Sequence, residues 1–282
     1  MTPEQRLERI AAWAAEQATV SGLFVVGSRA RRSRPADQYS DTDVVIVCSD
    51  PERFIADDGW FAAFGTPVLS FVEATALGDR RERRVLYDDG ADVDLVPVTA
   101  EDVASVAATA AGGDLLGRGV RVLVDKSGEL ARLLNGRPAD SDGGWLPSGP
   151  YVANLISDFW YHLLWTARKL RRGELWIAHE CLNDNLLHIV RRFVEWEALA
   201  ASGGEADVWF RGRYLERWAR PDTLERLGAA SARYDHGDVR RAVLAAAELF
   251  SDLAPPIAAA AGAPYPVQAE RRVRELVSQT LG

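Results

Sequence analysis

Two aspartates separated by one residue, Asp41 and Asp43 in "DTDVVIVC", stand at the head of an apolar, β-branched run. On a strand, residues two apart point to the same face, so both carboxylates project together while Thr42 points away. Two carboxylates about 4 Å apart at an effective dielectric near 20 repel by on the order of 4 kcal/mol, so the pair needs solvent, a proton or a cation. A divalent metal answers that need, and magnesium is usually held by one or two carboxylates while phosphate oxygens complete its octahedron. A third carboxylate, Asp94 in "DVDLV", shares a face with Asp92 by the same period and directly precedes apolar residues, as Asp43 does.

Upstream, "VVGSRARRS" places Gly27 and Ser28 directly after another apolar run. Gly27 allows a turn in which the backbone approaches a ligand closely, and Ser28 offers a hydroxyl together with the amides of a following helical turn. Phosphate suits such a corner. No Gly-Lys-Ser/Thr follows, so this is not a Walker A loop. Arg29, Arg31, Arg32 and Arg34 could add charge-assisted bonds to phosphate oxygens, with Arg29 best placed because it adjoins Ser28.

The elements that must position these groups are legible. Thr2 as N-cap, Pro3 at the first helical position and Gln5 three after the cap open a helix with Leu7, Ile10, Trp13 and Ala14 on one stripe. The runs 22–26, 43–48, 67–73, 83–89 and 92–98 read as strands of one mixed sheet. "DDGAD" over 88–92 carries the Asp-Gly signal of a tight hairpin, which predicts that the last two strands are antiparallel neighbours. From Ala100 onward the pattern turns helical. The stretch "NGRPADSDGGWLPSGP" has the composition of a connector, and 151–172, 174–200, 222–232, 238–261 and 265–280 carry helical spacing with no convincing strand. The expectation is an α+β protein: a mixed-sheet domain over 1–135, a connector over 136–150 and a helical bundle over 151–282.

Composition narrows the function classes. The 282 residues are 48% hydrophobic and 26% charged, an ordinary globular balance. A net charge of −8 and a pI near 5.2 argue against a protein that wraps duplex nucleic acid and favour a cationic small partner. Cys48 and Cys181 are too few for a disulfide framework or a zinc set, and the four histidines, at 162, 179, 188 and 236, show no ligand spacing with them. The N-terminus lacks the apolar core of a signal peptide and no long uninterrupted apolar stretch follows, so a cytoplasmic protein without membrane association is expected, with a monomer favoured.

The ordered set of strand, "GSRARRSRPADQYSDTDVVIV" and acidic strand "DVDLV" resembles the polymerase-beta-like nucleotidyltransferase superfamily. Within it the chain is similar to the aminoglycoside 6-adenylyltransferase family, the streptomycin-modifying branch. "DFWYHLLWTARKLRRGELWIAHECLN" (158–183), "RRFVEW" and "YPVQAERRV" extend the resemblance over nearly the whole chain. A departure falls in "ASGGEADVWFRGRYLERW", where Arg211, Gly212 and Arg213 replace a Gly-Lys-rich stretch.

The resemblance implies a domain that binds ATP with Mg2+. Asp41 and Asp43 would hold the metal and Ser28 a terminal phosphate, with Gly27, Arg29 and Arg168 on the nucleotide. Asp94 would steer a second metal or the attacking hydroxyl, as metal ligand, general base or both. Two metals would then clamp the attacking and leaving oxygens. A polycationic acceptor needs carboxylates and flat faces, for which the helical half supplies Asp158, Trp160, Glu180 and Asp184. Glu180 and Asp184 lie four apart on one helical face, whereas Trp160 points away from Asp158, with core packing as its competing role. Streptomycin leads as acceptor. Transfer to another antibiotic, a protein or an RNA 3′ end stays open, as does a non-catalytic nucleotide-binding module.

Overall fold

The computed structural model describes residues 1–31, 34–75, 80–135 and 146–282. The chain divides into two compact units, Met1–Ser141 and Asp142–Gly282.

In the first unit, α1 (Pro3–Glu16) starts at the expected capping box: the Thr2 hydroxyl accepts from the Gln5 amide and the Gln5 side chain accepts from the Thr2 amide. A six-stranded sheet follows, built from β1 (Val20–Val26), β2 (Thr42–Cys48), β3 (Pro67–Ala74), β4 (Arg81–Tyr87), β5 (Asp92–Val98) and β6 (Arg121–Asp125). Its order is β3-β4-β5-β2-β1-β6, and β2 and β5 run parallel while every other neighbouring pair is antiparallel. The β4–β5 hairpin turns where the Asp-Gly signal predicts, closed by bonds from the Gly90 amide to the Tyr87 carbonyl and from the Tyr87 amide to the Ala91 carbonyl. Strand β6 is a correction, because residues beyond Ala100 were expected to be helical.

Three short helices, α2 (Pro51–Ala56), α3 (Ala100–Ala107) and α4 (Ala110–Gly117), and then α5 (Glu129–Asn135) complete the unit. Two apolar layers hold the sheet. Leu7 and Ile10 of α1 and Phe54 of α2 pack on Leu23, Val25, Val44 and Ile46. On the opposite face Val103, Leu116, Leu130 and Leu134 cover Phe24, Val26, Val47 and Val98. Residues 23–26 and 44–48 are thus apolar on both faces, which explains their continuous apolar composition.

The second unit is helical among its described residues: α6 (Gly149–Arg171), α7 (Leu175–Glu180), a π-helical segment Cys181–Leu186, α8 (Leu187–Ala201), α9 (Leu215–Trp218), α10 (Pro221–Ala230), α11 (His236–Ala260) and α12 (Val267–Leu281). Phe159, Phe193 and Phe250 meet at its centre, Phe159 and Phe250 stacked with ring centroids 3.8 Å apart. Helix α11 alone among the described residues is long and apolar enough to cross a membrane. Its apolar stripe, from Val239 to Ala258, is buried in the bundle core. Residues 136–145 of the expected connector lie outside the described residues, and α6 begins at Gly149, before the predicted start.

Candidate active site

Strand pairing brings the three aspartates together. In the parallel β2–β5 ladder Asp43 lies opposite Asp94, and Thr42 opposite Val93. Asp41, one residue before β2, therefore lies alongside Asp92. One carboxylate oxygen from each of Asp41, Asp43 and Asp94 falls within 4.8 Å of the others. Sequence spacing accounts for the Asp41–Asp43 pair; only the crossover that sets β5 beside β2 accounts for Asp94.

Gly27 and Ser28 reach the same place from β1, whose last residue, Val26, pairs with Asp43. The chain turns at Gly27 with φ +68°, and a Cβ there would lie 2.0 Å from Asp43 Oδ2. Glycine is required twice over, by backbone conformation and by the approach of the carboxylate. Ser28 lies in the middle of a short 3-10 turn (Gly27–Arg29), is 9% exposed, and its Oγ has no hydrogen-bond partner. A buried hydroxyl without a partner costs about 1–3 kcal/mol, so it marks a place where a ligand oxygen belongs.

Arg29 acts on the loop. Its Nε donates to Thr42 Oγ1 at 2.6 Å and its Nη2 to the Ser40 carbonyl at 2.6 Å. Asp37 Oδ1 accepts from the Tyr39 amide and the Ser40 hydroxyl. These bonds fix the residues on either side of Asp41, which makes Arg29 a holder of the Asp41–Asp43 corner through the two groups described. Arg32 lies outside the described residues.

Sequence reading missed Arg84. It pairs with Asp94 across the hairpin, and its Nη2 donates to Asp94 Oδ2 at 2.9 Å. Its Nε contacts Glu73 at 2.7 Å and Glu82 at 3.1 Å. The signal was available in principle: counting outward from the Asp-Gly turn, Leu86 faces Asp92 and Arg84 faces Asp94. Asp94 is nonetheless incompletely served. It is 3% exposed, its Oδ1 has no partner, and burial drives its carboxyl up to about 8, opposed by Arg84 and reinforced by Asp43, Glu82 and Asp92. Burial also raises Asp92, with Arg84 opposing and Asp41 adding, and raises Glu82 against the pull of Arg84. For Arg84 burial works against the charge, but Asp94, Glu82 and Glu73 outweigh it and the net shift is upward.

The donor set suits a hard divalent cation: three carboxylates, one with an orphaned oxygen, beside a serine hydroxyl that lacks a partner. Asp41, Asp43 and Asp94 are the residues that would hold it.

The acceptor residues expected in the helical half do not form a comparable set. Trp160 is 2% exposed and packs edge-on against Phe159 and Phe250, so it is a core side chain with no face for a sugar. Asp158 is half-buried and accepts from His162 Nδ1. Glu180 closes α7 and Asp184 sits in the π-helical segment, both exposed. Arg168 is exposed in the last turn of α6, where a cation complements the helix dipole.

A mixed sheet carrying a Gly-Ser corner and three converging aspartates defines a nucleotidyltransferase. The chain belongs to the streptomycin adenylyltransferase family, whose profile matches residues 1–280. It is 24% identical over 213 residues to an aminoglycoside 6-adenylyltransferase of Bacillus subtilis (strain 168), covering 71% of this chain and 70% of that protein. A second aminoglycoside 6-adenylyltransferase, from Campylobacter jejuni, is 22% identical over 209 residues, covering 71% and 69%. The crystal structure of an aminoglycoside 6-adenyltransferase from Bacillus subtilis aligns over 99% of this chain and 98% of its own, at 14% identity and a TM-score of 0.46.

Proposed function

We propose that the protein moves AMP from ATP to a hydroxyl of an aminoglycoside, with streptomycin the leading acceptor and Mg2+ the cation. The observation that carries this reading is the convergence of Asp41, Asp43 and Asp94 beside the unpartnered Ser28 hydroxyl. A divalent cation bound there supplies neutralisation of the triphosphate charge. Ser28 Oγ donates to a phosphate oxygen and thereby gains the partner it lacks. Gly27, having no Cβ, leaves room for the carboxylate of Asp43 and for the nucleotide together.

Asp94 takes the proton. As the acceptor oxygen forms its bond to the α-phosphorus, the bond from that phosphorus to the bridging oxygen breaks and pyrophosphate leaves, while the hydroxyl proton passes to the Asp94 carboxylate. Asp94 Oδ1, which has no partner within the protein, is the atom placed to take it. Arg84 holds the carboxylate in place from the other side. In the helical unit, exposed Glu180 and Asp184, half-buried Asp158 and exposed Arg168 are candidate substrate contacts, the acids for a cationic acceptor and the arginine for phosphate.

The reading is tested by incubating the protein with ATP, Mg2+ and a panel of aminoglycosides and neutral antibiotics, then weighing the products. Streptomycin or a related aminocyclitol is expected to gain one adenylyl group. A gain confined to neutral antibiotics would refute it.

A further inference from the structure

The sheet carries a second feature on the face that bears the aspartates. Register sets Asp94 beside Arg84 and Arg84 beside Phe71, so the row Asp43, Asp94, Arg84, Phe71 crosses four strands on one face. The ion pairs of Arg84 with Asp94 and with Glu73 require the same orientation. In the adjoining row Asp92 faces Leu86, and Leu86 faces Leu69. Edge strand β3 thus presents Leu69, Phe71 and Glu73 on the reacting face, with Leu69 52% and Phe71 48% exposed. Such a strip on an edge strand invites association unless something covers it.

Its position and charge identify the occupant. Ser28 lies on the β1 side of Asp43, whereas Phe71 lies beyond Asp94 on the opposite side. In-line displacement puts the attacking oxygen opposite the leaving group, so nucleotide and acceptor approach the phosphorus from different sides. Asp92, Glu73 and Glu82 surround the strip with Arg84 as the counter-charge, which leaves the margin acidic. An exposed aromatic face with carboxylates beside it suits a sugar or cyclitol ring bearing ammonium or guanidinium groups.

We propose that the Leu69–Phe71 strip of β3, with Asp92 and Glu73 at its margin, is the platform on which the cationic acceptor rests while its hydroxyl meets Asp94. This rests on the adenylyl-transfer reading above and names the part of the sheet that selects the acceptor. Phe71 and Asp92 are the specificity-determining residues.

The test compares wild-type protein with Phe71→Ala, Phe71→Tyr, Asp92→Asn and Trp176→Ala, using streptomycin, ATP and Mg2+. Trp176 is the exposed partner of Tyr234 in the helical unit and offers the rival aromatic surface. Phe71→Ala is expected to raise the streptomycin KM about tenfold, equivalent to about 1.4 kcal/mol, and to leave the KM for ATP within about twofold. Phe71→Tyr restores the wild-type value, and Asp92→Asn raises the streptomycin KM with a weakened salt dependence. The platform is overturned if Phe71→Ala and Asp92→Asn leave that KM unchanged, whether or not Trp176→Ala raises it. It is equally overturned if Phe71→Ala dissociates a dimer in sedimentation without altering the KM, since the strip would then face a second copy. Failure of the underlying reading is distinct: the wild-type protein itself would transfer AMP to no aminoglycoside, which removes the platform's occupant as well.

Discussion

Asp94 and Glu195 are both buried acids, 3% and 8% exposed, and burial raises the carboxyl of each. Their surroundings differ. Glu195 in α8 accepts from Arg191 and from the Gly212 amide, with the Arg192 guanidinium 3.7 Å away, so donors and cations surround its carboxylate and the neighbouring loop is tied to the helix. Asp94 has one guanidinium on one oxygen, no partner on the other, and two more carboxylates within reach. The complete cluster holds structure together, and the incomplete one waits for a cation. Burial and a raised carboxyl do not distinguish the two; the unmet oxygen does.

Substitution at the acids gives the widest separation. Asp43→Asn is expected to lower turnover by at least about a hundredfold with the fold retained, as loss of a group acting in the transition state does. Glu195→Gln is expected to leave kcat/KM within about twofold but to cost about 1–3 kcal/mol of stability, because Arg191 loses its charged partner. Steady-state kinetics and denaturant melts on both variants measure the contrast, and the reverse pattern would break it.

Next in size is Gly27→Ala. The added Cβ meets Asp43 Oδ2 and the φ of +68° disfavours alanine, so turnover is expected to fall at least about tenfold, with about 1 kcal/mol lost in a denaturant melt. Wild-type kinetics in this variant would show that the close approach of the two groups has no functional meaning.

The pH dependence of stability sharpens the comparison further. With Asp94 at about 8 in the folded protein and near 4 when unfolded, the folded state binds the extra proton between those values. Its contribution therefore makes the metal-free protein less stable as pH rises from about 4 to about 8. Asp94→Asn removes that slope and raises the melting temperature at pH 8 by a few degrees while abolishing turnover. A melting profile whose pH slope is unchanged by the substitution would contradict the assignment.

Much of this was legible in the chain because local signals agreed with the fold: the capping box at Thr2, the β-branched runs around Phe24 and Val45, the Asp-Gly hairpin and the long amphipathic helices of the second half. Strand β6 was missed because "RVLVD" follows a helical, glycine-containing stretch and, at five residues on a sheet edge, carries little alternation of its own. Trp160 carries two readings in sequence, a flat face for the acceptor or a core side chain, and its burial selects the second. A helix turns about 100° per residue, and Trp160 shares its stripe with Ile156 and Leu163 in the core. Arg84 escaped because its partner is distant along the chain and adjacent only across the hairpin.

The central claim is that the three aspartates form a cation site in which Asp94 Oδ1 has no partner within the protein, and calorimetric titration of Mg2+ into the ATP-bound protein at pH 7, in two buffers of different ionisation enthalpy, tests it most directly. Metal binding must displace the proton that burial keeps on Asp94. The account predicts up to one proton released per cation in the wild type, affinity that rises as pH approaches about 8, loss of the proton release in Asp94→Asn and loss of binding beyond that of ATP alone in Asp43→Asn. Binding without proton release, or binding unchanged in both variants, would contradict it.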